Sequence, residues 1–394
     1  MTAPELTTDQ HNKIMIVTGE ASGDMHGANL VRSLLEIAPD TNFFGMGGAE
    51  LRNAGVDVIF EASRISVVGL TEVFSHLPDI LTARRLLMQE MKIRKPGLLI
   101  VIDFPDFNLM LAAKAKKLGI PVLYYVSPQV WAWRSGRVNK IGRLSNRIAV
   151  ILPFEKDFYQ QRNVTVDFVG HPLMDSVKTT QSKIEFRQSL SIDATKTVVG
   201  LLPGSRSKEI IALLPDFLAA AKRLTVTTDN DYVFLVPRAN TISKQLLNEN
   251  GIDDYKDQLD IRIIDTNRYD MMAACDAVVA ASGTVILELA ILGVPTIATY
   301  RVSPRTYFLG QMLTKLKSFT LVNLIAGRTI IPELLQDQVT PVNIARELAL
   351  VLEAEDVREK MLQGLAKVRE QIGSPGASKR AAEIALELIS DSTL

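Results

Sequence analysis

Ile14–Asp24 reads IMIVTGEASGD, and this stretch decides the fold. Its first half is a short apolar run of the length and composition of a strand. The small-residue loop Gly19-Glu20-Ala21-Ser22-Gly23-Asp24 follows, and a helical pattern then runs to about Glu36. A strand, a glycine-bearing turn and a helix make half of the unit from which parallel α/β sheets are built. The rhythm recurs outward from here. Asn42–Met46, Leu98–Asp103, Pro121–Val126, Ile148–Leu152 and Val166–Val169 read as further strands of one doubly wound unit. Asp175–Lys196 is polar without a clear strand and reads as a linker carrying a short helix. The alternation then restarts. Thr197–Leu202 is a strand, followed by the turn Pro203-Gly204-Ser205 and a helix from about Lys208 to Leu224. Tyr232–Val236, Ile261–Ile264, Ala277–Ala280 and Thr296–Thr299 supply a second parallel sheet. From Pro341 onward the pattern is helical.

The 394 residues suit two domains. A composition of 47% hydrophobic and 22% charged residues is that of a soluble globular chain. Lys+Arg and Asp+Glu both number 44, so the chain lacks the basic excess of a general nucleic-acid binder. The single cysteine excludes a disulfide framework and a cysteine zinc site. No apolar run is long enough to span a bilayer, and the polar N-terminus has no signal core, so the expected location is the cytoplasm. A mean hydropathy of +0.14 leaves contact with a membrane surface open.

In open parallel sheets, ligands bind at the carboxyl edge, on loops that follow strands. Two such domains in tandem are expected to place their carboxyl edges across a cleft. Gly19, Ser22, Gly23 and Asp24 form either a ligand loop, whose glycines admit close approach, or a tight turn capped by Ser22 or Asp24. Arg206, after Gly204 and Ser205, is placed to meet a phosphate with its paired donors, or else is a solvated helix-start arginine. Ser282, Gly283 and Thr284 open a helix after a strand and can turn N–H groups and hydroxyls toward a diphosphate. Glu288 lies one turn deeper on the same face. Alone in the apolar run VILELAIL it needs a partner, and it would suit two ribose hydroxyls. Asp103 ends a buried strand beside a rigid proline turn, which suits a general base. Asp106 follows three residues on, but no third ligand for a metal stands nearby.

Ser127–Trp133 reads SPQVWAW and holds both tryptophans, Trp131 and Trp133. Arg134, Arg137, Lys140, Arg143 and Arg147 continue it as a basic stripe, which is either a solvated face or a contact for a phosphorylated acceptor or an anionic membrane. Val67–Ile93 reads as two amphipathic helices broken at Pro78, with Val68, Leu70 and Phe74 among the apolar positions. These pack a core or else meet acyl chains and a bilayer surface. His171 and Cys275 read as structural.

Taken together, SPQVWAW, the GEASGD loop, Ile102–Asn108 (IDFPDFN), LLPGSR and ASGT with Glu288 resemble the lipid-A-disaccharide synthases, from about residue 14 to the C-terminus. The resemblance implies a GT-B fold with an N-terminal acceptor and membrane-side domain, 1–175, and a UDP-sugar donor domain, 176–364. The last helices, about 365–394, would pack back on the first domain. It also implies inverting transfer of the sugar of UDP-2,3-diacylglucosamine to the 6-hydroxyl of 2,3-diacylglucosamine 1-phosphate, giving a β(1→6) disaccharide and UDP. Asp103 would be the base, Arg206 would stabilise the leaving diphosphate, and Asn323 matches a family position near the donor. Trp131, Trp133, Arg134 and Arg137 would serve acceptor or membrane contact. No metal or cofactor is expected. The expected partners are the two substrates and the anionic inner face of the cytoplasmic membrane, with a homodimer left open. Another UDP-sugar enzyme of the same fold, an N-acetylglucosaminyltransferase or 2-epimerase, and a non-catalytic nucleotide-sugar sensor are the competing readings.

Overall fold

The computed structural model describes residues 12–65, 77–133, 135–301 and 318–391. Val68, Leu70, Phe74 and Arg134, and the side chain of Trp133, lie outside the described residues. The chain divides into two units. The first comprises residues 1–175 with 372–394, and the second residues 176–371. The helix Glu355–Gln371 belongs to the second unit, so the return to the first begins at Ile372 rather than at about 365.

The first unit is built on a parallel sheet. Its strands are β1 (Lys13–Thr18), β2 (Asn42–Gly47), β3 (Asp57–Glu61), β4 (Leu98–Ile102), β5 (Val122–Tyr125), β6 (Arg147–Val150) and β7 (Asp167–Phe168), in the order β3-β2-β1-β4-β5-β6-β7. Ile14 to Val17 on β1 and all of β4 are fully buried, because helices cover both faces. On one face Met15, Val17, Leu99, Val101 and Tyr124 pack with Leu87 and Met91 of the helix Leu77–Arg94 and Leu111 of the helix Pro105–Lys117. The helix Ala21–Ile37 covers the other face together with the helix Ala377–Asp391, which also packs on β4, β5 and β6. Arg380 ties that last helix down by donating to the Val169 carbonyl at 2.8 Å, and Asp175 accepts from the Gly376 and Ser378 N–H groups. Pro78 occupies the first turn of Leu77–Arg94, where its missing N–H costs nothing, and the expected helix before it lies outside the described residues.

The second unit carries β8 (Thr197–Leu202), β9 (Tyr232–Pro237), β10 (Ile261–Ile264), β11 (Ala277–Ala281), β12 (Thr296–Tyr300) and β13 (Glu333–Leu335), in the order β10-β9-β8-β11-β12-β13. The polar stretch before β8 is docked rather than loose. Asp270 accepts from the Thr180 and Gln181 N–H groups, and Lys183 and Arg187 both pair with Asp276 at 2.7 Å.

Both sheets reverse their winding once. The switch falls between β1 and β4 in the first unit and between β8 and β11 in the second. Register aligns the strand ends there, Thr18 with Ile102 and Leu202 with Ala280. The loops Gly19–Asp24 and Asp103–Asn108 therefore flank one switch point, and Pro203–Arg206 and Ser282–Thr284 the other.

Candidate active site

Asp103 stands where β4 turns into the helix Pro105–Lys117. Its backbone is left-handed, with φ +44°, as is that of Phe104 at +45°. Neither is glycine, so the corner is strained and must be held. The Asp103 N–H donates to the Val126 carbonyl at 3.1 Å. Its carbonyl accepts from the Tyr124 hydroxyl at 2.7 Å and from the Asn108 amide at 2.8 Å. The same amide donates to the Ile102 carbonyl at 3.1 Å. The Phe104 ring covers Gly19 so closely that a Cβ there would sit 2.3 Å from a ring carbon, which is why the loop after β1 has glycine at that position. Burial, with a contribution from the Glu20 carboxylate, pushes the Asp103 carboxyl up to about 6.

A second carboxyl lies deeper. Glu155 opens the helix Pro153–Gln160 and is 1% exposed. It accepts from the Leu152 N–H at 3.0 Å and the Ile151 N–H at 3.3 Å. Desolvation nevertheless pushes it up to about 8, the Asp103 charge adding in the same sense. Trp131 packs edge-on against Phe154 with ring centroids 4.9 Å apart. Its buried indole N–H has no partner at hydrogen-bond geometry among the described residues, yet it acts on the Glu155 carboxyl and favours the charged form. Ser127 and Tyr159 share a hydroxyl contact at 2.5 Å. The SPQVWAW segment is thus fastened to the helix behind it. Arg137 pairs with the exposed Asp106 at 2.5 Å.

Asp24 is engaged by the backbone of the next loop. Its two oxygens accept from the Gly48 N–H at 2.7 Å and the Glu50 N–H at 2.9 Å, capping the short helix Ala49–Asn53. Ser22 and Asp24 do not cap their own helix, whose N-cap is Glu20 without a side-chain bond. Ser22 is exposed and Gly23 is packed near Thr18 and Ile102.

In the second unit, Gly204 has φ +117°, and a Cβ there would meet the Glu209 carboxylate at 2.2 Å. That carboxylate already accepts from the Ser205 and Arg206 N–H groups at 2.9 and 3.2 Å and pairs with the Arg206 side chain at 3.0 Å. The loop's own anion is thus the partner of the guanidinium that was expected to meet a phosphate. Gly283 and Thr284 are exposed at the head of the helix Thr284–Leu292, while the Ser282 N–H is spent on the Thr299 carbonyl at 2.7 Å. Glu288 is 4% exposed, accepting from Arg268 at 2.8 Å and the Tyr269 hydroxyl at 3.2 Å. Burial raises its carboxyl and the guanidinium opposes that rise. Asn323 is buried, and all its amide bonds are internal. It donates to the Ile331 carbonyl and Glu333 and accepts from the Ile330 and Ile331 N–H groups, so it holds the start of β13.

Sequence reading missed Glu155, Tyr124, Arg268 and Tyr269. Glu155 sits in LPFEK, another strand-end followed by a helix start, and Arg268 and Tyr269 open a helix after β10, so strand-end position was the available signal. Among the described residues there is no His, Cys, Asp and Glu cluster able to hold a metal, and no helix long and apolar enough to cross a membrane.

The profile of the lipid-A-disaccharide synthetase family matches residues 14–388. The chain belongs to that family. It is 46% identical over 379 residues to the lipid-A-disaccharide synthase of Syntrophus aciditrophicus strain SB, covering 96% of this chain and 98% of that one. It is 44% identical over 388 residues to that of Geobacter sulfurreducens, covering 98% and 99%. Among solved structures, the Acinetobacter baumannii MurG is 15% identical with a TM-score of 0.59, covering 95% of this chain and 99% of that one. The UDP-GlcNAc 2-epimerase of Neisseria meningitidis, bound to UDP-GlcNAc, is 14% identical with a TM-score of 0.60, covering 96% and 100%. These likenesses give the fold, GT-B. As a lipid-A-disaccharide synthase family member, the chain is a glycosyltransferase that joins the two lipid A precursors, using a nucleotide sugar. The epimerase and sensor readings are not favoured.

Proposed function

We propose that the donor is UDP-2,3-diacylglucosamine and the acceptor 2,3-diacylglucosamine 1-phosphate, joined β(1→6) with inversion. The acceptor 6-hydroxyl oxygen attacks the anomeric carbon of the donor, and Asp103 takes its proton. The bond from that carbon to the diphosphate oxygen breaks, and UDP leaves with the electron pair. Attack from the face opposite the leaving group inverts the centre. The observation that carries this reading is Asp103 itself. It is a carboxylate on a held, left-handed corner at the sheet's switch point, raised to about 6, basic enough to accept a proton and still ionised at neutral pH. On the donor side, Gly283 and Thr284 offer helix-start donors to the diphosphate and Glu288 takes the ribose hydroxyls. Arg206, 65% exposed at its side chain, exchanges Glu209 for the charge that grows on the leaving group.

Acyl-bearing substrates reside in a bilayer, so this reading includes a peripheral stay at the anionic membrane surface. Support comes from the helix Leu77–Arg94, where exposed Leu77 and Leu81 lie with Arg84, Arg85 and Lys92, the last four lining one groove. The deciding experiment is turnover of the diacyl UDP-sugar with the monosaccharide phosphate by the native chain and by Asp103→Asn. Loss of a general base costs about 10²–10⁴ in kcat, with UDP affinity unchanged. Near-native turnover by the variant would remove Asp103 from the role.

A further inference from the structure

Glu288 presents an electrostatic difficulty that its neighbours resolve. A carboxylate that accepts from two vicinal hydroxyls must be ionised and fixed in rotation. Burial in an apolar helix works against the first requirement and does nothing for the second. Arg268 and Tyr269, at the head of the helix Arg268–Ala274, meet both. Arg268 donates to Glu288 Oε1 at 2.8 Å, and the Tyr269 hydroxyl donates to the same oxygen at 3.2 Å. Arg268 also bonds the Tyr269 hydroxyl at 2.6 Å and lies over its ring, 4.6 Å from the centroid. The three side chains close a triangle on one carboxylate oxygen, and among the described residues the recorded hydrogen bonds of this carboxylate all converge there. The strands β11 and β12 and the helices Leu321–Ala326 and Glu355–Gln371 also pack against the helix that carries Glu288. The charged and titratable groups acting on the carboxylate are Arg268 and Tyr269.

We propose that Arg268 and Tyr269 are positioning residues for donor recognition, locking Glu288 by one oxygen so that the other meets the ribose hydroxyls of the nucleotide. This rests on the reading of Glu288 as the ribose contact. Arg268 sets the charge on the carboxylate, and Tyr269 sets its rotation and, through stacking, the posture of Arg268 itself.

The test is calorimetric titration of the full chain with UDP and with 2′-deoxy-UDP, at about pH 6 and about pH 8.5, on either side of neutral. Dividing each variant's Kd by the native value at the same pH cancels the titration of the diphosphate. Arg268→Met keeps the stem and removes the charge. It is expected to weaken UDP binding roughly tenfold at the lower pH and less at the higher, because Glu288 without its cation takes up a proton as pH falls. Arg268→Lys is expected to restore most of the loss. The deoxy nucleotide, lacking one hydroxyl, is expected to lose less than UDP. Equal losses for both nucleotides at both pH values would overturn the proposal, since that is the mark of general disturbance. If Arg268→Met fails to fold, Tyr269→Phe removes only a hydroxyl and is read by the nucleotide comparison, a larger loss for UDP than for the deoxy nucleotide being expected and equal losses overturning the proposal. Unchanged UDP affinity in Glu288→Gln would overturn the ribose reading and this inference with it. Weakened binding in Glu288→Gln with none in Arg268→Met or Tyr269→Phe would overturn this inference alone.

Discussion

Two consecutive left-handed residues without glycine cost of order 1–3 kcal/mol each, and folds keep them only where surrounding bonds enforce them. At Asp103 and Phe104 the enforcing bonds come from Tyr124, Asn108 and the Val126 carbonyl. Tyr124→Phe removes one hydroxyl and leaves the Asn108 amide in place. Loss of about 1 kcal/mol of restraint predicts a fall in kcat of about fivefold, with UDP affinity unchanged. Steady-state kinetics beside UDP titration checks this, and an equal loss in both would point to a wider disturbance. The raised carboxyl also sets a pH limb. A base must be ionised, so kcat/KM should fall as pH drops through about 6, rather than near the ordinary Asp value of 3.8. The sequence made Asp103 legible, as a carboxylate ending the run LLIVID. It left the strain and its restraint unreadable, because Tyr124 sits on a neighbouring strand and reads simply as a buried aromatic.

At the scale of elements, carboxylates close several loops here, and each has a distinct signature. Asp24 ties the loop after β1 to the helix after β2. Asp24→Ala leaves two N–H groups without their acceptor and should cost about 1–3 kcal/mol of stability while UDP affinity holds. A loss of UDP affinity without a loss of stability would return Asp24 to a binding role. Glu155 behaves differently, because desolvation outweighs the N–H groups of its helix start and keeps it protonated at neutral pH. Folded Glu155 holds its proton up to about 8, whereas an unfolded glutamate releases it near 4.5. Between those values the native state binds more protons, so stability falls as pH rises, by up to about 1.4 kcal/mol per pH unit for a full proton. Glu155→Gln removes that dependence, so the melting temperature of the variant minus that of the native chain should climb across this window. A constant difference would sink the assignment. Sequence reading found the central strands well, since burial on both faces leaves continuous apolar runs such as Leu98–Ile102. It missed β3 and β13, which are edge strands. They are short and bear Asp57, Glu61 and Glu333, the charged character that protects an exposed edge and hides a strand from a hydropathy reading. The bonds that the Asn323 amide makes around β13 were unreadable for a related reason, since the reading did not contain that strand.

Over the whole molecule, the loops that looked chemical in the sequence flank the two switch points, and the strand order that puts them there comes from pairing, which no local pattern encodes. The composition of the first unit is equally non-local, because residues 372–394 complete it. Ala381, Ala382 and Ala385 of the last helix are fully buried, small enough to bring that helix close to the sheet and to the helix Ala21–Ile37. A charge placed there has no partner and no water. Ala385→Asp should therefore destabilise the first unit by more than about 3 kcal/mol, the range expected for an unpaired buried charge. The proposed UDP site lies wholly in the second unit, so the nucleotide should still stabilise that unit in the variant. The gain follows RT ln(1 + [L]/Kd), about 2.7 kcal/mol at a hundredfold excess over Kd. Differential scanning calorimetry with and without UDP separates the two effects. The expected record is a transition lowered by Ala385→Asp and indifferent to UDP, beside a second that UDP raises equally in both chains. If the substitution abolishes the UDP shift, nucleotide binding depends on the first unit, and the assignment of the donor groups to Gly283, Thr284 and Glu288 alone fails.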